Sequence, residues 1–246
     1  MFKARHISAA LNGLGIPQDH PTRRQVNDWI RNRRAIRETR NAVPSESFSQ
    51  CAEDVIASTL IDTGLGRYID IGSGHPVQGS NTYALYRQGW SGLLVDPLRS
   101  NINLSQRVRP RDTCVESLCS TTDKPAIDFF EYETYEYSTA SPQRVAELTR
   151  RGHHVHATYK LPTFSLETLV RENDLFDARL LSIDVEGLEL EVLEGNRWDT
   201  FRPELVIVEE WESPPAENTP IRGFMADLGY QFVSFNRASS FFLANL

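Results

Sequence analysis

The 246-residue sequence contains only three cysteines, and none of its apolar runs approaches the length needed to cross a membrane. Cys51, Cys114 and Cys119 are too few and too irregularly spaced for a zinc site or a disulfide framework, so we expect free thiols. A bilayer-spanning helix needs about 18 or more apolar residues. Arg5 and His6 also interrupt the apolar residues near the N-terminus, which argues against a secretory signal core. We therefore expect a cytoplasmic protein without a transmembrane segment.

The sequence also lacks the third glycine of a dinucleotide-binding fingerprint. Residues 67–74 read as a buried strand followed by a turn with Gly72 and Gly74, but Val77 occupies the place of the third glycine. Pro76 stands where the helix of that fingerprint would begin. A dinucleotide pyrophosphate is therefore disfavoured. The longer loop favours a nucleoside cofactor without phosphates, such as S-adenosylmethionine.

A second predicted strand ends in a carboxylate at a position that suits a ribose. Asp96 follows the apolar residues 93–95 and lies 22 residues after Gly74. At the end of such a strand, an acidic side chain can accept hydrogen bonds from both ribose hydroxyls. The predicted cofactor-binding residues are Asp70, Gly72, Ser73, Gly74, Asn81, Asp96 and Pro97.

Residues 180–195 contain the most specific motif of the chain. They read Leu-Leu-Ser-Ile-Asp-Val-Glu-Gly-Leu-Glu-Leu-Glu-Val-Leu-Glu-Gly, an Ile-Asp-Val-Glu-Gly-x-Glu run that leads into a helix ending in Leu-x-Gly. With the glycine turn, this motif resembles the FkbM family of S-adenosylmethionine-dependent methyltransferases over roughly residues 47–246. Smaller matches are Ser49-Gln50, Glu53-Asp54, Asp70-x-Gly72 with Pro76, Val95-Asp96-Pro97, Arg109-Pro110 and residues 203–209.

The resemblance implies an S-adenosylmethionine-dependent O-methyltransferase. Its acceptor would be a hydroxyl of a sugar, a glycolipid or a polyketide-like metabolite, so the expected partner is a small-molecule or glycan acceptor. Two other classes remain open at this point. One is a nicotinamide-dependent oxidoreductase, and the other is a non-catalytic methyltransferase-like binding module.

Alternating strand and helix patterns predict an α/β fold, a Rossmann-like, doubly wound and mostly parallel seven-stranded sheet. Strands are expected near 67–72, 92–97, 112–117, 179–185, 204–210, 230–236 and 240–246, and helices near 50–62, 80–89, 99–107, 165–174, 188–194 and 218–228. Only residues 237–239 separate the last two strands, which permits a hairpin but no helical crossover. The methyltransferase resemblance implies such an antiparallel C-terminal hairpin.

Charge is divided unevenly along the chain. Residues 1–48 carry nine Lys or Arg and four Asp or Glu, a net charge of +5, whereas the remaining residues carry 17 against 29, a net charge of −12. We interpret 1–48 as a basic N-terminal helical extension and 49–246 as the methyltransferase domain. The extension is either a helix docked on the domain or a basic arm for an anionic surface. The acidic domain argues against a nucleic-acid partner.

Residues 126–164 depart from simple strand–helix alternation and are interpreted as an insertion. Their aromatic residues would either line the lid or wall of an acceptor pocket, or form an extra hairpin packed on the core. The cluster of His153, His154 and His156 raises the question of zinc. Adjacent residues on a strand point to opposite faces, which disfavours such a site.

Acidic residues at two neighbouring strand ends are the candidates for chemistry. Asp184 ends the predicted fourth strand, beside the first, and is expected to accept a proton from the acceptor hydroxyl. Glu186 is a second catalytic candidate, although a carboxylate at a helix start also serves as a cap. Asp184, Glu209 and Glu210 are predicted ligands for Mg²⁺ or another divalent cation. The alternative is a single carboxylate acting as a hydrogen-bond acceptor.

Overall fold

A computed structural model describes residues 47–62, 64–210 and 219–245, together with Gln25 and Asp28. These residues form a seven-stranded sheet and a separate three-stranded sheet. The basic helix predicted in the N-terminal extension lies outside the described residues, apart from the two helical positions named above. The boundary between this extension and the domain stays a prediction.

The larger sheet consists of β1 (Arg67–Ile71), β2 (Ser91–Asp96), β3 (Thr113–Glu116), β7 (Leu180–Ile183), β8 (Leu205–Glu209), β9 (Tyr230–Phe235) and β10 (Ser239–Ala244). Its order is β3-β2-β1-β7-β8-β10-β9. The first five of these strands pair in parallel, and β10 pairs antiparallel with both β8 and β9. This arrangement confirms the predicted α/β fold with a mostly parallel sheet and an antiparallel C-terminal hairpin.

The central strands are apolar along their whole length because both faces of the sheet are covered. Every residue of β7 and β8 is buried. Continuous apolar runs, rather than alternation, are typical of parallel strands between two helical layers. Because both faces of these strands are apolar, the sequence favours a sheet that is covered by helices on both sides.

The described residues contain seven helices. They are α1 (Glu53–Leu60), α2 (Tyr83–Arg87), α3 (Arg99–Val108), α4 (Pro142–Arg150), α5 (Leu166–Glu172), α6 (Glu189–Glu194) and α7 (Pro220–Asp227). One core packs α5, α6 and α7 on the sheet through Leu169, Val192 and Met225. The opposite core packs α1 and α2 through Ala57 and Leu85. Among the described residues, no helix is long and apolar enough to cross a membrane.

The second sheet lies between β3 and β7 in the chain. It comprises β4 (Leu118–Ser120), β5 (Lys124–Tyr132) and β6 (Val155–Ser165), in the order β4-β6-β5. A 3-10 turn at Tyr135–Tyr137 and helix α4 connect β5 to β6. This sheet begins before the predicted insertion at 126–164, because β4 pairs in parallel with the end of β6. The insertion is thus a small mixed sheet with one helix.

The strand order reverses direction at β1. Successive connections leave β1 towards β2 on one side, whereas β7 pairs with β1 on the other side. Ligands of open α/β sheets bind outside the carboxyl ends of the strands at such a switch point. The residues that follow β1, β2, β7 and β8 therefore define where a site is expected.

Candidate active site

A cavity of about 1390 Å³ opens at the carboxyl ends of β1, β2, β7 and β8. The glycine turn after β1 forms part of its floor. The backbone N–H groups of Gly72 and Ser73 donate to the carbonyl of Val95, at 2.8 and 3.1 Å, which ties the turn to β2. The Oγ of Ser73 is buried without a partner among the described residues, and Ser73 lines the cavity.

Gly72 is required by the close approach of the two central strand ends. Its φ is +78°, and a Cβ at this position would lie 1.6 Å from the carbonyl oxygen of Asp184. An L-residue would have to adopt a left-handed conformation and displace backbone at the same time. The glycine turn therefore lies directly against the Asp184 segment.

Asp96 connects the glycine turn to the start of α3. Its Oδ2 accepts from the N–H of Gly74 at 2.9 Å. Its Oδ1 accepts from the N–H of Leu98 at 2.8 Å and from the side-chain amide of Asn101 at 3.1 Å. Asp96, Pro97 and Asn101 all line the cavity. The predicted ribose acceptor is thus held in place by donors on both sides.

Two predicted cofactor residues do not line the cavity. The buried carboxylate of Asp70 accepts from Thr82 Oγ1 at 2.6 Å, and burial raises its pKa. The amide of Asn81 donates to Ser182 Oγ at 3.0 Å. Both side chains brace the loop that follows the glycine turn. Both residues lie outside the lining of the cavity, and their contact with a cofactor stays a prediction.

A fully buried arginine organises the same loop. Arg109 donates through Nε to Asp112 at 2.7 Å and through one terminal nitrogen to Tyr68 and Thr82 at 2.8 and 2.9 Å. Its other terminal nitrogen donates to Ser80 Oγ at 3.1 Å. A rigid fork of five N–H donors suits this arrangement, which a lysine would not reproduce. Arg109 therefore fixes the loop from inside the domain.

Three carboxylates form a cluster on the opposite side of the glycine turn. Asp184 follows β7, Glu186 lies two residues later, and Glu209 ends β8. One oxygen from each lies within 4.8 Å of the others. Among the described residues this is the group of acidic, His or Cys side chains close enough to hold a metal ion, and it contains none of the predicted histidine cluster.

The pKa values of the three clustered carboxylates are all raised. Burial raises the pKa of Asp184 to about 7. Burial and then the charge of Asp184 raise the pKa of Glu186 to about 8. The pKa of Glu209 is raised well above its usual range by burial and by Asp184. Close and buried carboxylates oppose each other's ionisation, and Arg144, 3.0 Å from Glu186, offsets this in part for Glu186.

Glu210, which is also a predicted metal ligand, lies outside this cluster. Its carboxylate accepts from the hydroxyls of Thr219 and Ser240 and pairs with Arg222, whose Nε is 3.6 Å away. Glu210 follows the end of β8 and also lines the cavity, but its contacts with Thr219, Ser240 and Arg222 hold it apart from the cluster. Glu186, rather than Glu210, joins Asp184 and Glu209 in the structure.

Glu189 supports the turn between β7 and α6. Its Oε1 accepts from the N–H of Val185 at 3.2 Å and of Gly187 at 2.9 Å. Burial raises its pKa as well. These contacts make Glu189 a cap for the Asp-Val-Glu-Gly segment.

The second sheet and α4 form a wall of the cavity. The aromatic side chains of Phe129, Tyr135 and Tyr137 line it, and the ring of Tyr135 faces Gly74. From α4, Arg144 reaches the Glu186 carboxylate at 3.0 Å. Local sequence patterns carry no signal for Arg144, because its partner is 42 residues away. Sequence reasoning also missed Asn101 as a cavity residue.

The comparison with protein families decides the relationship. A family model described as Methyltransferase FkbM domain matches residues 70–232. The chain belongs to the FkbM methyltransferase family. This result confirms the resemblance read from the Asp-Val-Glu-Gly motif. A search of curated proteins found no match.

Solved structures similar to this FkbM domain are methyltransferases. A TehB-like SAM-dependent methyltransferase from Corynebacterium glutamicum ATCC 13032 has a TM-score of 0.44 at 10% identity, over 90% of this chain and 100% of that chain. A methyltransferase from Geobacter sulfurreducens has a TM-score of 0.44 at 11% identity, over 100% and 98%. A putative O-methyltransferase from Klebsiella pneumoniae has a TM-score of 0.44 at 13% identity, over 97% and 96%.

FkbM methyltransferases take the methyl group from S-adenosylmethionine, and the residues around the glycine turn fit this ligand. Gly72 leaves the backbone free of Cβ atoms where the two central strands meet. Ser73 offers a buried hydroxyl without a partner among the described residues. Asp96 ends β2 at the cavity, where a ribose needs a hydrogen-bond acceptor. Ser73, Gly74, Asp96 and Pro97 are the residues that would hold the donor.

Proposed function

We propose that this FkbM methyltransferase methylates a hydroxyl oxygen of a small-molecule or glycan acceptor, such as a sugar, a glycolipid or a polyketide-like metabolite. One observation carries the proposal. Asp184, Glu186 and Glu209 converge within 4.8 Å on the cavity floor, next to the glycine turn. Carboxylates in this place suit the removal of a proton from an acceptor hydroxyl.

The reacting groups would meet above Asp184. Its backbone contacts the glycine turn that would hold the donor, and its side chain lines the same cavity as the aromatic wall. Bound S-adenosylmethionine would supply an electrophilic methyl group on a sulfonium. The chain then needs only to align an acceptor oxygen with that carbon and to accept its proton.

Bond changes in the proposed reaction balance without another reactant. The acceptor oxygen would form a bond to the methyl carbon while the bond between that carbon and sulfur breaks. The hydroxyl proton would pass to the carboxylate of Asp184. Since burial raises the pKa of Asp184 to about 7, this group exchanges protons in the neutral range, where a general base is most effective.

A divalent cation is a further part of the proposal. Three carboxylates supply the hard oxygen ligands that Mg²⁺ prefers, and burial, followed by the charges of their carboxylate neighbours, raises their pKa values, which a cation would lower. Asp184, Glu186 and Glu209 would hold the ion. It would lower the pKa of a hydroxyl bound to it and also that of Asp184, so the pKa of about 7 applies to the site without the ion.

Calorimetry and turnover assays test the proposal together. S-adenosylhomocysteine should bind, and NAD should not. A panel of methyl glycosides, a glycolipid and a macrolactone polyol should reveal an acceptor by transfer of radiolabelled methyl. With that acceptor, Asp184→Asn should lower kcat about 100-fold or more. Glu172→Gln, on the exposed side of α5, is the matched control and should keep full activity.

Three outcomes would contradict parts of the proposal. Full turnover of Asp184→Asn, with chemistry limiting the rate, would remove the proton acceptor assigned to Asp184. Full turnover in EDTA would remove the cation. Tight binding of S-adenosylhomocysteine with no transfer to any hydroxyl in the panel would instead support a non-catalytic binding module.

A further inference from the structure

We propose that Thr139 and Arg144, both from the insertion, are positioning residues that hold Glu186 in the carboxylate cluster. The inference rests on the proposed function, because it assigns a task to residues that act on the same cluster. It makes the second sheet and α4 part of the catalytic machinery rather than a passive wall.

The backbone of Glu186 requires an external hold. Its φ is +57°, a left-handed conformation that is strained for a glutamate. Its carbonyl oxygen accepts from Thr139 Oγ1 at 2.8 Å. This contact joins the turn after β7 to a residue 47 positions earlier in the chain. The strained turn is therefore fixed from the insertion.

The side chain of Glu186 is held by a second contact from the same element. One terminal nitrogen of Arg144 lies 3.0 Å from Glu186 Oε2, and the other lies 2.9 Å from Glu147 Oε2. The side chains of Arg144 and Glu186 are only 17% and 13% exposed. Because solvent screens the charges of such a pair only weakly, the ion pair restricts the orientation of the Glu186 carboxylate.

The two holding residues are themselves anchored. Thr139 exchanges two backbone hydrogen bonds with Phe130 of β5, at 2.9 and 3.0 Å. The Thr139 hydroxyl also accepts from the N–H of Ser141, whose own hydroxyl caps α4 at the N–H of Arg144. These hydrogen bonds connect β5, through Thr139 and Ser141, to the first turn of α4, where Arg144 lies.

The turn packs directly against this start of α4. A Cβ at Gly187 would lie 3.8 Å from the side chains of both Ser141 and Arg144. The Asp-Val-Glu-Gly segment therefore lies between the end of β1 and the insertion. Asp184 contacts Gly72 after β1, whereas Glu186 and Gly187 contact the insertion. If the contacts with the insertion were lost, Glu186 would be free to leave the carboxylate cluster while the glycine turn stays in place.

Separate measurements of donor binding and of turnover test this inference. Arg144→Ala should lower kcat about 10–100-fold, the usual effect of removing a group that orients a functional side chain. The affinity for S-adenosylhomocysteine should change less than about 3-fold, because the glycine turn and Asp96 do not contact Arg144. Arg144→Lys keeps the charge and should recover part of kcat. Arg171→Ala, on the exposed face of α5, is the control.

A double-mutant cycle shows whether Arg144 acts through Glu186. If it does, Glu186→Gln should lower kcat, and adding Arg144→Ala to it should change kcat by less than about 3-fold. Multiplicative losses would mean that Arg144 acts on the acceptor by itself, and the inference would be wrong. A lower kcat in Glu186→Gln with normal kcat in Arg144→Ala would also overturn it, while leaving the proposed function intact.

Two substitutions of Thr139 test the inference if Arg144→Ala does not fold. Thr139→Ser retains the hydroxyl that donates to the Glu186 carbonyl and should keep most of kcat. Thr139→Val removes it at nearly constant volume and should lower kcat about 10-fold with donor affinity retained. Equal kcat in both variants would exclude the backbone contact. Asp184→Asn should lose turnover whether or not this inference is correct. Full turnover of Asp184→Asn would contradict the proposed function rather than this inference.

Discussion

Gly72 and Asp184 touch so closely that a Cβ on residue 72 would lie 1.6 Å from the Asp184 carbonyl oxygen. The donor turn and the segment with the carboxylate cluster are therefore in backbone contact across β1 and β7. No side chain mediates this contact. A change at one strand end is transmitted to the other without any intervening flexible group.

Substitution of Gly72 should separate this contact from ordinary glycine strain. Gly72→Ala combines a φ of +78° with a backbone clash, whereas Gly79→Ala has a φ of +76° and open space around the new Cβ. Strain alone costs on the order of 1 kcal/mol. We expect a fall in the unfolding free energy of Gly72→Ala at least 2 kcal/mol larger than that of Gly79→Ala. Urea denaturation measures both, and equal losses would contradict the contact.

Asp96 should contribute directly to donor binding. Asp96→Ala should weaken the binding of S-adenosylhomocysteine by about 1–3 kcal/mol, because it removes a charged hydrogen-bond acceptor from the cavity. Asn101→Ala should weaken it less, since it removes only one of the donors that hold Asp96. Calorimetry measures both affinities. The control is Asp177→Ala, whose side chain is 69% exposed in a surface ion pair. Unchanged affinity in folded Asp96→Ala would exclude Asp96 from the donor site.

The strand ends around the cavity could be predicted because their signals are local. Apolar runs such as 93–95 predict buried parallel strands, and Gly72 with Asp96 predicts the turn and carboxylate of a nucleoside site. The short 237–239 connection fixes the hairpin. Each of these features lies within a few residues of the chain, so periodicity and turn chemistry suffice.

The residues that hold the site together could not be predicted because their partners are distant in sequence. Arg109 contacts Tyr68 and Thr82, which are 41 and 27 residues away, and Arg144 contacts Glu186 across 42 residues. Nothing local in the sequence marks an arginine as buried. The exchange of Glu210 for Glu186 has a different cause, because β8 ends at Glu209 and Glu210 contacts Thr219, Ser240 and Arg222 instead.

Arg109 should be far more important for stability than a surface arginine with a similar ion-pair distance. The side chains of Arg109 and Asp112 are both 0% exposed at 2.7 Å, whereas those of Arg99 and Glu116 are 56% and 21% exposed at 2.8 Å. Arg109→Met should lower the unfolding free energy by about 3–5 kcal/mol, because it leaves Asp112 buried without its counter-charge. Arg99→Met should cost at most about 1 kcal/mol. Similar losses in urea denaturation would contradict this account of the buried network.

The carboxylate cluster should make the metal-free protein less stable as the pH rises. Burial raises the pKa of Asp184 to about 7, whereas an aspartate in an unfolded chain titrates near pH 3.9. Between these values the folded state binds more protons than the unfolded state, so the unfolding free energy falls with increasing pH. Asp184→Asn removes this cost. In EDTA it should be more stable than the unmodified protein at pH 8, by on the order of 2 kcal/mol, and nearly equal at pH 4.

Asp123 provides a control of opposite sign for this pH dependence. The N–H of Ser165 and the hydroxyl of Thr168 donate to its carboxylate at 2.7 and 2.9 Å, and these hydrogen bonds lower its pKa. Its contribution is present above the pKa of the unfolded aspartate and is lost as the pH falls through the lower folded value. Asp123→Asn should therefore destabilise the protein at pH 8, where Asp184→Asn stabilises it. Thermal unfolding in EDTA at pH 4 and pH 8 measures both variants. If Asp184→Asn lowered the melting temperature at pH 8 as Asp123→Asn does, the Asp184 carboxylate would be stabilised in its ionised form, and the cluster would not hold the excess protons that its burial implies.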